Sequence, residues 1–203
     1  LARDRFGKKP LVYSIKNNNI YFSSDVKSLS CITDGGGLDK ESIKSLFRFR
    51  FIHEPKTIFN NFKKLAPGSI LKFNEYGVKI TSWYNLNKNK NYYKKNINKK
   101  LKSLIVKAVE KRLISDVPIG IFLSGGIDSA IIIESLSKIG KKIPTFTIGF
   151  QGEASYYNEA DNAKKIASYY GFDNKTIYLN SKNILHNVNS ILEASDEPFA
   201  DSS

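Results

Sequence analysis

The chain has 203 residues, of which 41% are hydrophobic, enough for one large domain or two small ones with a real core. A single cysteine excludes an internal disulfide framework and a cysteine zinc cluster, and two histidines leave little material for His-based metal or triad chemistry; no stretch approaches the roughly 20 apolar residues of a membrane helix. The formal charge of +13 invites a nucleic-acid reading, but lysine, asparagine and isoleucine are abundant together, as in a coding bias, and the densest basic run, residues 88–102, reads as a solvated linker and helix face.

In chain order, residues 11–15 and 20–23 are β-rich runs separated by Asn17, Asn18 and Asn19, which predicts a hairpin. Asp25 then starts a short helix through Leu29. Cys31, between Leu29 and Ile32, is expected as a buried filler rather than a nucleophile. After Gly35, Gly36 and Gly37 a second helix is capped by Asp39 and carries Ile43, Leu46 and Phe47 on one face, and Pro55 closes the region. Pro67 and Gly68 turn into a strand over residues 69–73, and Gly77 begins a partner strand that ends near Trp83. Periodicity is lost over residues 85–96, a linker between an N-terminal portion, 1–84, and a C-terminal one, 97–203.

Beyond the linker, Leu101, Leu104, Ile105, Ala108, Val109 and Leu113 recur at helical spacing, predicting a helix that ends near residues 115–118. Strands at 119–123, 144–149 and 175–179 then alternate with helices at about 128–140 and 158–170, and a last helix covers about 182–194. This order predicts an α/β fold with a parallel sheet, flanking helices and right-handed crossovers. Ligands of such sheets bind at the carboxyl ends of the strands.

The segment Ile119-Gly-Ile-Phe-Leu-Ser-Gly-Gly-Ile-Asp-Ser129 lies at such an end. Gly125 and Gly126 let main-chain N–H groups approach an anion, and the following helix adds the positive end of its dipole. Ser124 and Ser129 offer hydroxyls to phosphate oxygens. Asp128 would be repelled by phosphate and therefore suits Mg²⁺ shared with it. No Gly-Lys-Ser/Thr comes after the glycines, so this is not a Walker A loop. An ordinary Gly-Gly turn, with Asp128 and Ser129 beginning the helix, uses the same residue types.

Ser124-Gly-Gly-Ile-Asp128-Ser129 resembles the pyrophosphate loop of the ATP pyrophosphatase (HUP-like) superfamily, and further blocks are similar to the glutamine-hydrolysing asparagine synthetases. Arg3-Asp-Arg-Phe-Gly-Lys-Lys-Pro-Leu11, Tyr21-Phe-Ser-Ser24 and Lys27-Ser-Leu29 resemble the closing part of their Ntn-type glutaminase domain, which is β-rich. Thr57-Ile-Phe59, Leu65-Ala-Pro-Gly68, Asp116-Val-Pro-Ile-Gly120, Thr145-Phe-Thr-Ile-Gly-Phe150, Asn158-Glu159 with Ala163, and Asp196-Glu-Pro-Phe-Ala-Asp-Ser-Ser203 come in the family's order.

By position, the resemblance implies that Phe122, Leu123, Ser124, Gly125, Gly126, Asp128, Ser129 and Ile148 bind ATP, Phe122 and Ile148 lying against adenine or ribose. Both also read as strand-core residues. Asp128 and Asp196 would hold Mg²⁺, and Glu193 would act as base on the attacking ammonia, or stand as a solvated carboxylate at a helix end. Glu197 and Asp201 are expected as caps or loop ligands. Asn158 stands where the family commonly has Asp. The implied chain is an internal piece of a longer cytoplasmic enzyme, its glutaminase nucleophile upstream of Leu1 and a further Gly-rich acidic loop downstream of Ser203.

The implied reaction uses ATP, aspartate or another carboxylate, and glutamine-derived ammonia, with no membrane and no nucleic-acid partner; the resemblance also admits a homodimer of the full-length protein. Rival readings are a tRNA-modifying ligase with the same loop, a cousin acting on a β-lactam precursor or a sugar acid, and an inert nucleotide-binding module.

Overall fold

The computed structural model describes residues 1–86, 96–151 and 158–198. The chain divides into two compact units, residues 1–88 with 189–203, and residues 89–188. Most of the expected linker, residues 87–95, and the end of the final block, 199–203 with Asp201, lie outside the described residues.

In the first unit, β1 (Val12–Lys16) and β2 (Asn19–Ser23) form the expected hairpin. Asn17 and Asn18 take φ of 51° and 55°, the left-handed pair that a two-residue type I′ turn requires and that Asn tolerates. A short β3 (Lys63–Lys64) pairs with the other edge of β1. In α1 (Val26–Ile32), capped by Asp25, Val26 and Leu29 pack on Val12 and Phe62. Cys31 is exposed, contrary to expectation: two positions after Leu29 on a 3.6-residue period, it falls away from the face that packs. The second hairpin joins β4 (Ser69–Asn74) to β5 (Gly77–Ser82), and Leu71 meets Tyr13 and Leu65 in a separate small core.

The block at residues 3–11 is a knot. Arg3 is 8% exposed, and a guanidinium so buried needs partners. It donates to the carbonyls of Gly7, Lys9 and Leu65 and to the Glu54 carboxylate at 2.7 Å. Asp4 accepts the amides of Lys9, Lys8 and Phe6, which hold its carboxyl below the ordinary carboxylate range.

The helix after the glycines, α2 (Lys40–Phe49), is fixed by its start rather than by its expected apolar face. Only Ser42 is buried, and Phe47 is 85% exposed among the described residues. Asp39 accepts the Glu41 amide, the Ser42 hydroxyl at 2.8 Å and the Lys56 ammonium at 2.9 Å.

In the second unit, α3 (Ile97–Glu110) ends earlier than the periodicity predicted; Leu113 lies in the tight turns beyond it. The sheet is parallel as expected, in the order β6 (Ile121–Phe122), β7 (Thr145–Phe150), β8 (Asn174–Leu179). The first strand is shorter than 119–123: the Ile121 amide donates to the Pro144 carbonyl at 3.1 Å, and Pro144 has no N–H with which to extend the ladder. Between the strands run α4 (Ile127–Ile139) and α5 (Ala160–Tyr170), each ended by a left-handed glycine, Gly140 or Gly171. Leu123, Ile133, Leu136, Ala163, Ala167 and Phe172 form the core, with Val109 and Leu113 packed against it. The last helix, α6 (Ser181–Ala194), buries no residue. Among the described residues, no helix is long and apolar enough to cross a membrane.

Lys56, Ser42 and Glu41 hold the Asp39 carboxyl at about 2 against an ordinary 3.8. A depressed carboxyl stabilises the fold fully above its unfolded value and loses that contribution as pH falls through the folded one. Asp39→Asn is therefore expected to show a stability deficit in urea melts that is complete at neutral pH and shrinks between pH 3.8 and about 2. A deficit that stays constant across that window would show that the ionised carboxylate contributes nothing.

Candidate functional site

The site begins at the end of β6. Leu123 is 2% exposed, and both of its main-chain groups are engaged: its N–H donates to the Phe146 carbonyl at 2.8 Å and its carbonyl accepts from Thr147 Oγ1 at 2.8 Å. Behind Thr147 runs a saturated polar seam. Asn174 Nδ2 donates to Oγ1 of both Thr145 and Thr147 at 2.9 Å, Thr145 donates to the Asp173 carbonyl, and Thr176 donates to Asn174 Oδ1. These threonines and Asn174 were not singled out from the sequence. The signal available was the alternation Thr145, Thr147, Gly149, which puts polar residues on the buried face of a parallel strand.

With Leu123 fixed, the chain turns at once. Ser124 Oγ accepts the Gly126 amide at 3.2 Å and lies 3.1 Å from Ser129 Oγ. Ser129 Oγ donates toward the carbonyls of Ser124 and Gly126, at 2.9 and 3.1 Å. The two hydroxyls expected to face phosphate thus also close the loop on itself. Gly126 is the N-cap of α4 and offers no side-chain cap, so the amides of Ile127, Asp128 and Ser129 open outward with the helix dipole behind them. Neither loop glycine has positive φ. Gly125 is required by proximity: a Cβ there would stand 2.8 Å from Asn162 Cβ in the first turn of α5.

Asp128 is exposed in the first turn of α4, with no hydrogen bond among the described residues. Phe122 and Ile148 are 81% and 49% exposed, on the sheet face opposite Leu123 and Thr147, so within this chain they are not strand core. Ile148 pairs in register with Ile177, also exposed, and Phe122 with Phe146. Leu123, with its side chain buried and both main-chain groups engaged, carries the start of the loop.

Glu193 and Asp196 belong to the first unit. Glu193 is exposed near the end of α6, and its carbonyl accepts from Lys27 Nζ at 3.4 Å. Asp196 Oδ1 accepts the amides of Val26 and Lys27, at 2.7 and 3.0 Å. Glu197 accepts the Ile58 amide at 2.8 Å and pairs with Lys64, the loop-ligand role expected of it. Asn158 caps the start of α5 through the Ala160 amide. Among the described residues, no group of three or more His, Cys, Asp or Glu is placed to hold a metal by itself.

A parallel sheet whose first strand hands over, through a Ser-Gly-Gly loop, to an uncapped helix is an α/β unit that presents main-chain donors at a strand end. The asparagine synthase family model matches residues 100–203, and the glutamine amidotransferase domain model matches residues 1–84. The chain belongs to the asparagine synthase family. It is 32% identical over 202 residues to asparagine synthetase (glutamine-hydrolysing) 1 of Bacillus subtilis, covering 98% of this chain and 32% of that protein. A putative asparagine synthetase (glutamine-hydrolysing) 2 of Methanocaldococcus jannaschii is 31% identical over 208 residues, covering 98% of this chain and 40% of its own length. Amidase chry2 of Gibberella zeae is 26% identical over 222 residues, covering 98% and 32%. The chain spans about a third of the length of the curated relatives it matches.

Two substitutions test how the loop is built. Gly125→Ala is expected to destabilise the protein by roughly 1–3 kcal/mol, since the added methyl overlaps α5, as read from chemical denaturation. Thr147→Val leaves the Leu123 carbonyl and one Asn174 N–H unpaired, and is expected to cost about 1–3 kcal/mol. A neutral Thr147→Val would show that the seam does not hold the loop.

Proposed function

We propose that this chain is part of a cytoplasmic, ATP-dependent ligase that adenylates aspartate and transfers glutamine-derived ammonia to it, giving asparagine, AMP and pyrophosphate. Residues 1–84 would belong to the glutaminase portion, 85–96 to a linker, and 97–203 to the synthetase portion. The observation that carries the reading is the uncapped start of α4: three outward amides, two hydroxyls and an exposed Asp128 converge at the carboxyl end of a parallel strand.

That arrangement suits a leaving pyrophosphate. As the substrate carboxylate attacks the α-phosphorus, charge grows on the departing oxygens, and donors already fixed by a strand-to-helix turn stabilise it without reorganising. Asp128, exposed and without a hydrogen bond among the described residues, would hold Mg²⁺ together with the phosphate oxygens, and Asp196 is the second carboxylate that the family resemblance implies for that ion. The bound cation would neutralise the pyrophosphate charge. Phe122 and Ile148 give adenine or ribose an apolar surface. Glu193 takes the proton from ammonia as it displaces AMP.

The second reading is a related amidotransferase acting on another carboxylate, since the loop addresses the nucleotide and not the acceptor. Pyrophosphate release by the full-length protein, measured with aspartate and with other carboxylates, separates the two. Asp128→Ala is expected to lower release on the order of 100-fold. Failure to release pyrophosphate with any of the carboxylates, or an undiminished rate in Asp128→Ala, would overturn the reading.

A further inference from the structure

We propose that Glu159 is a resident anion of the loop, displaced when a nucleotide's pyrophosphate group binds. The proposal rests on the nucleotide reading of the loop. Gly125 supplies the first glycine amide of the loop, and that N–H donates to Glu159 Oε2 at 3.2 Å. Gly126 supplies the second, and it is taken by Ser124 Oγ. Of the loop's two glycine amides, one therefore serves its own turn and the other carries a full negative charge from a different element.

The contact is built in. A side chain at position 125 would stand 2.8 Å from Asn162 Cβ and 3.3 Å from Glu159 Cβ, so only glycine lets the start of α5 come this close. Glu159 is exposed and makes no ion pair among the described residues. Lysines are abundant in this chain, yet none of those described neutralises this carboxylate. Its partner is the loop amide.

A carboxylate on that amide has two effects. It occupies a donor that a phosphate oxygen would use, and its charge repels phosphate nearby. In the apo loop it also satisfies the donor and keeps the Gly125 peptide oriented toward the site. Binding is then an exchange of one anion for another, which lowers affinity and favours departure of pyrophosphate once it has formed.

The probe is inorganic pyrophosphate with Mg²⁺, titrated calorimetrically into the full-length protein. Glu159→Gln keeps an oxygen acceptor and removes the charge, and it is expected to bind about fivefold more tightly than wild type, the effect of one charge at close range in water. The gain should shrink at about 1 M salt, where screening acts within roughly 3 Å. Glu159→Ala should also bind more tightly. Equal or weaker binding by both variants would overturn the proposal, as would a gain insensitive to salt. If wild type and variants alike fail to bind pyrophosphate, the nucleotide reading itself falls and the proposal with it.

Discussion

The functional end of the second unit depends on the way Leu123 is held. Its side chain belongs to the core formed with Ile133 and Leu136, while its N–H and C=O are both spent on β7. A residue pinned from three directions cannot drift, and the loop after it inherits a fixed starting point. That loop is a turn closed by Ser124 and Ser129, and it opens into a helix whose first amides have no internal acceptor. The open N-terminus of α4 is thus a by-product of where the core ends and the helix begins.

Beneath that anchor lies hydrogen-bond chemistry rather than more hydrocarbon. Thr145, Thr147, Asn174 and Thr176 each find donors and acceptors in one another or in the main chain, so a buried polar seam carries no unpaired penalty at these atoms. An apolar strand would have packed as well, but would have left the Leu123 carbonyl, at the last rung before the loop, without its side-chain donor. The first unit uses the same device differently: Arg3 gathers Gly7, Lys9, Glu54 and Leu65 by one buried guanidinium. The motif that resembles a glutaminase domain's closing block is, in physical terms, a structural knot.

The acidic residues separate into two kinds. Asp39, Asp4, Asp196 and Glu197 accept main-chain amides and so fix local structure. Among the described residues, Asp128 has no such partner, and the Glu159 carboxylate accepts an amide of the candidate loop itself. The distinction could not be made from residue type, because Asp beginning a helix can cap it or face a ligand, and sequence position is the same in both cases. Burial was equally hidden: Phe122 and Ile148 sit in β-rich runs like their neighbours, yet the pleat turns them away from the helices.

The sequence by itself determined the alternation of strands and helices, the Asn-rich hairpin, the caps at Asp25 and Asp39, and the Ser-Gly-Gly-Ile-Asp-Ser loop with its place at a strand end, since these arise from local period, turn chemistry and spacing. It also carried the family through an ordered set of motifs. Tertiary structure alone decided that Gly125 is small because of α5, that Glu159 reaches the loop from 34 residues away, that Asp196 rests on α1, and that Cys31 and Phe47 stay open. These depend on which surfaces meet across long stretches of chain, and local residue preferences hold no information about that meeting.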